Sequence, residues 1–139
     1  MEVLSVTQFS RNDLLSSMRR VRLRGFDGAT VYRKAQIEIV EALDPHAVLP
    51  AQNYVLRGSV ERVGELRAAL RKWGVDPLAL NGGAYIRTAD DPSTTLTVVP
   101  PVIEESVEPD GQVCLLVCDG LHRMFYAHAH HMQITALVV

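Results

Sequence analysis

The segment Val113-Cys114-Leu115-Leu116-Val117-Cys118-Asp119-Gly120-Leu121-His122-Arg123 constrains the fold most. An unbroken apolar run meets an Asp-Gly break, and a helical face formed by Leu121, Met124, Phe125, His128 and Met132 follows directly. Apolar side chains on both faces predict a central strand, covered on each side. A strand that turns straight into a helix aims the helix's first unpaired amides, and the positive end of its dipole, at one point. That point suits an anion. Arg123 beside it can add a bidentate grip on phosphate oxygens. The plainer reading of the same residues is a strand–helix connection whose arginine pairs with a nearby carboxylate.

The rest of the chain alternates strand and helix signals. Ser10–Arg20 reads as a short helix, capped by Ser10 or Asn12 and ending in Arg19 and Arg20. Gly25-Phe26-Asp27-Gly28 then breaks the chain, so residues 1–28 are expected as a helical appendage and 29–139 as the domain. Ala35–Leu43 alternates like a half-buried strand, and an irregular stretch carrying Arg57 leads to a helix over Ser59–Trp73. Ser59 is its expected cap, Gly74 its left-handed stop, and Val63, Leu66, Leu70 and Trp73 its buried stripe. Asn81-Gly82-Gly83 reads as a plain turn, because it lacks the glycine spacing and Lys-Ser/Thr of a phosphate loop. Asp90-Asp91-Pro92-Ser93 is another turn. The prolines before Val102–Val107 suggest an edge strand. Glu108-Pro109-Asp110-Gly111 makes a reverse turn, and Gln133–Val139 a last strand. The order predicts an α+β fold, a small mixed β-sheet with flanking helices.

Size and charge narrow the function. A chain of 139 residues can build one real core. A net charge of −2 does not favour nucleic-acid binding by bulk electrostatics, so a nucleic acid is not expected as main partner. The basic run Arg19-Arg20-Val21-Arg22-Leu23-Arg24 is a solvated surface or a docking patch for a protein partner. No apolar stretch is long enough to span a membrane and no signal segment opens the chain, which implies a cytoplasmic protein and no membrane partner. Cys114 and Cys118 lie four apart in a strand, too far for an unstrained disulfide, and are expected as buried free thiols. His128 and His131 share a helix face but lack further ligands at useful spacing, so no metal site is expected there.

The element order, the Pro100-Pro101-Val102 approach to a hairpin, the Asp119-Gly120-Leu121-His122-Arg123 turn and the closing Ile134-Thr135-Ala136-Leu137-Val138 together resemble the ParB/sulfiredoxin superfamily over about residues 35–139. Members bind ATP, ADP or CTP through phosphates held at that turn. The resemblance implies phosphate contacts at Gly120, His122 and Arg123. Arg62 falls where sulfiredoxins carry a nucleotide-contacting lysine, while Glu65 and Ala69 stand at two hydroxyl positions of that helix. Leu121 replaces the sulfiredoxin catalytic cysteine, so sulfinic-acid reduction is not implied. Partition proteins of the superfamily use a Gly-Glu-Arg-Arg turn, whereas the ADP-dependent free-serine kinases use Asp-Gly-x-His-Arg, the version closer to this chain. Phosphoryl transfer to a small metabolite, or nucleotide hydrolysis, is the implied enzymatic chemistry.

Asp119 is the acid best placed to orient an acceptor hydroxyl or bind Mg²⁺, and equally well placed to cap the helix. Arg57 is a candidate second phosphate clamp. The alternative function is a non-catalytic, nucleotide-dependent interaction module that docks a protein or nucleic-acid partner through residues 1–28.

Overall fold

The computed structural model describes residues 1–20, 36–50 and 54–139. Among these described residues, two sheets and three α-helices form an α+β fold. Strand β1 (Val3–Ser10) runs directly into helix α1 (Arg11–Met18), whose cap Ser10 accepts the Asp13 N–H through its hydroxyl. Strands β2 (Glu38–Leu43) and β3 (Leu49–Pro50) precede helix α2 (Arg57–Leu70). Strands β4 (Gly82–Thr88), β5 (Leu96–Val98), β6 (Val102–Val107) and β7 (Val113–Asp119) follow, then helix α3 (Leu121–Ala129) and strand β8 (Ile134–Val138).

The larger sheet has the order β2-β8-β6-β7-β3. It is mixed, with β6/β8 and β7/β3 parallel and β2/β8 and β6/β7 antiparallel. Alternation along β6 and β8 splits the core between the sheet's two faces. Ile103 and Ala136 face one way, where they meet Val63 of α2 and Met124 and Ala127 of α3. Val102 and Leu137 face the other, where they meet Leu14 and Met18 of α1.

Several sequence expectations change here. Residues 1–20 are built into the fold and do not stand apart as an appendage. β1 pairs with β4 along its length in a smaller antiparallel sheet, β1-β4-β5, and α1 covers one face of the larger one. Arg22, Arg24 and the Gly25–Gly28 break lie outside the described residues. β6 is an interior strand despite its prolines. They precede the ladder, and the Pro101 carbonyl accepts from Leu137 N–H at 2.8 Å, so the missing proline N–H costs nothing there. β7 is less central than its composition suggests. Its outer neighbour is the two-residue β3, and only Val117 is fully buried. The face of β7 opposite α3 is less covered, so Cys114 is half-buried and Cys118 exposed; both thiols are free.

The α2 boundary also moves. Leu56 is the N-cap, without a side-chain cap bond, and Ser59 sits inside the first turn. A 3₁₀ turn at Arg71–Trp73 continues the helix to Gly74, whose φ of 68° ends it as expected. That tightened turn swings Trp73 outward, leaving it 43% exposed instead of in the core. Gly82 and Gly83 do not make a turn but open β4. They are glycines because Phe9 lies across them; a Cβ on Gly83 would sit 2.0 Å from the Phe9 ring. The Asp90–Ser93 and Glu108–Gly111 turns form, the latter closed by Gly111 N–H to the Glu108 carbonyl at 2.9 Å.

Candidate functional site

The β7–α3 junction makes the site. Gly120 is the N-cap of α3 with φ 81°, a left-handed conformation that a side chain would resist. Space excludes one as well, since a Cβ would lie 2.8 Å from the Pro101 Cβ. A glycine cap brings no side-chain acceptor, and among the described residues no side-chain bond caps α3. The first amides of the helix, from Leu121 to Arg123, are therefore left for a ligand or water. Asp119 is the last residue of β7, exposed and not spent on capping. Of its two sequence readings, the cap is excluded.

One cleft of about 520 Å³ collects Asp119, Gly120, His122, Arg123 and, from the adjoining helix, Ser59 and Arg62. Five of the six residues expected from sequence thus face a common space. Arg57 does not. It is the first residue of α2, not a loop residue, and it is solvated, with Glu61 one turn on accepting from its Nε at 3.3 Å. Ser59 joins the cleft because α2 starts earlier than the sequence suggests. Its hydroxyl would have been legible as a site group only with that boundary known.

His122 couples the two helices. Its Nε2 accepts the backbone N–H of Leu56, the residue that opens α2, at 3.2 Å. The N-terminal ends of α2 and α3 are thereby held side by side, and their dipoles add at the cleft. This bond occupies Nε2 as an acceptor, so a ligand contact by His122 falls to Nδ1. Gly64 lets the helices approach further along, with its Cα hydrogen turned to the Tyr126 ring; a Cβ there would lie 3.3 Å from that ring.

Arg123 is more structural than its sequence context suggests. Its Nη1 donates to the carbonyl of Val99, clamping the β5–β6 link onto α3. Burial pulls the guanidinium below its ordinary value, while the negative charge of Asp119 works against that pull. It stays cationic at neutral pH, because arginine starts from so high a value. Arg62, exposed on α2, is the more freely placed cation of the cleft.

Cys118 lines the same cleft. Burial first, and then the neighbouring Glu104 carboxylate, push its thiol up to about 11. It is protonated at neutral pH and is no nucleophile, so it cannot stand in for the missing cysteine at Leu121. Among the described residues no group of three or more His, Cys, Asp or Glu side chains could hold a metal ion by itself. No described helix is long and apolar enough to cross a membrane.

No curated protein matches the chain. The family model of the ParB CE domain matches residues 13–139, a span that begins within α1 and takes in the whole larger sheet, both helices of the cleft and the Asp119–Arg123 turn. With that span matched and an α+β architecture to go with it, the chain belongs to the ParB CE domain family.

Proposed function

We propose that the cleft binds the polyphosphate of a nucleoside di- or triphosphate (ATP, ADP or CTP) and that the chain transfers a phosphoryl group from it to a hydroxyl of a small metabolite. One observation carries the reading. An uncapped helix N-terminus, a glycine that keeps side-chain bulk away from it, two arginines and an open carboxylate border a single cleft. Polyphosphate needs amide donors, cations and room, and these residues offer all three. Among the described residues that line the cleft, Asp119 is the group that would repel it. Asp119 would supply a carboxylate ligand to a Mg²⁺ ion brought in with the nucleotide, and the ion would offset that repulsion and neutralise charge on the phosphates.

The acid–base role also falls to Asp119. As the acceptor oxygen bonds to the terminal phosphorus, the P–O bond to the departing nucleotide breaks and Asp119 takes the hydroxyl proton. Arg62 and the α3 amides stabilise the charge on the phosphate oxygens, and Arg123 keeps the wall of the cleft in place.

Isothermal titration with ATP, ADP, CTP and GTP, with and without Mg²⁺, tests the reading on wild type and three variants. Arg62→Ala is expected to weaken nucleotide binding about tenfold without loss of fold, because the side chain is exposed. Asp119→Asn is expected to abolish turnover; spared affinity marks it as the base, and loss of the Mg²⁺-dependent affinity marks it as the metal ligand. Arg123→Ala is expected to lose both affinity and stability. Absence of binding to any of the four nucleotides by folded wild type would refute the proposal. Binding without turnover would leave a nucleotide-dependent interaction module instead.

A further inference from the structure

A second cleft, of about 340 Å³, adjoins the first, with Leu121 lining both. Its size is that of a small-molecule site. Val117 and Met124, both buried, form its base. Tyr54 and Phe125 stand at its wall, 66% and 43% exposed, and Phe125 in particular presents aromatic surface that an occupant would cover.

The lining has one strongly polar region. The rings of His46 and His128 lie 3.9 Å apart between centroids, tilted by 31°. Asp44 Oδ1 accepts both the backbone N–H and the Nδ1–H of His46, each at 3.0 Å. A carboxylate only accepts, so the His46 proton is fixed on Nδ1, and Nε2 is left as an acceptor. His128 adds an imidazole that makes no side-chain hydrogen bond among the described residues. The two rings therefore present a donor and an acceptor side by side, next to an apolar slot. A metal is not what they bind, since no metal-holding group exists among the described residues. Nor does the region suit an anion. The Asp44 carboxylate beside His46 is exposed and, like any aspartate in water, negative at neutral pH, and the two N–H groups of His46 hold it below the usual carboxylate range.

We propose that this cleft binds a small uncharged aromatic alcohol of the phenol class, its ring against Phe125, Tyr54 and Met124 and its hydroxyl on the His46–His128 pair. A phenol both gives and accepts a hydrogen bond, which matches the pair, and a flat ring suits aromatic and thioether contacts. The site is separate from the nucleotide reading and does not rest on it.

The test uses 2-naphthol and 2-naphthoate as probes, followed by protein amide shifts on wild type, Phe125→Ala and His128→Phe. Phe125 and His128 are exposed, and dispersed amide spectra confirm that both variants fold. The expected result is saturable 2-naphthol binding with shifts centred on Met124 and Phe125, at least about fivefold weaker in each variant, and 2-naphthoate about tenfold weaker than 2-naphthol. ADP titration of the same variants should be unchanged, which separates failure at this site from failure of the phosphate cleft. No saturation up to a few millimolar, equal binding by both variants, or equal affinity for the naphthoate would each overturn the proposal.

Discussion

Gly120 meets two demands that no other residue satisfies together: a φ of 81° and a Cβ position already filled by Pro101. Gly120→Ala should therefore cost about 2–3 kcal/mol of stability in urea unfolding, and any nucleotide affinity should fall with it. A cost near zero would mean that the turn is not built as described. Arg123 makes the complementary case. Removing its side chain leaves the Val99 carbonyl without that donor, and Arg123→Ala should lose about 1–3 kcal/mol. A fall in its nucleotide affinity would thus mix clamp and ligand roles, which is why Arg62→Ala is the cleaner probe. Cys118 gives a prediction in pH. Its folded thiol titrates near 11 against an ordinary value of 9.0. Unfolded chains lose that proton first, so the stability tied to the protonated thiol is whole below pH 9 and is lost as pH rises through 9 toward 11. Alkylation by iodoacetamide at pH 8 should accordingly be slower than for a free cysteine, despite the exposed position.

At the scale of elements, the β7–α3 junction was legible in the sequence because its signals are local. Asp119-Gly120 stops a strand, and the helical face from Leu121 to Met132 starts at once. Helix α1 with its Ser10 cap and the left-handed stop at Gly74 were legible for the same reason. What the sequence hid was lateral order. Whether a strand is interior depends on partners far along the chain, so the prolines before β6 pointed to an edge where the strand is interior, and the apolar run of β7 suggested more cover than its two-residue neighbour β3 supplies. The glycines of β4 look like a turn until Phe9, more than seventy residues earlier, is placed across them. That contact yields its own test. Gly82→Ala should destabilise the β1–β4 pair by about 2–4 kcal/mol, read from denaturant unfolding, because an added Cβ would lie 2.2 Å from the Phe9 carbonyl oxygen of the paired strand, at a φ of 141°. Gly58→Ala, where an added Cβ meets nothing within 4 Å, is the control and should be neutral or slightly stabilising inside α2.

For the whole molecule, the consequence is that residues 1–20 belong to the folded unit. They supply a full-length partner for β4 and, through Leu14 and Met18, the cover over Val102 and Leu137. A chain starting at residue 29 should fail to give a cooperative thermal transition, while one starting at Met1 should give a single one. The cleft depends on that unit too, because Met1 and strand β5 of the smaller sheet line it opposite the two helices. If the uncapped start of α3 receives phosphate, its first amides must sense the nucleotide. The most direct measurement is a ¹H–¹⁵N titration with Mg²⁺–ADP that follows the backbone amides of Leu121, His122 and Arg123. Large saturable shifts at these three amides, smaller ones along α2 near Arg62 and none at β2 would match the account. A nucleotide that binds while those three amides stay unmoved would contradict it.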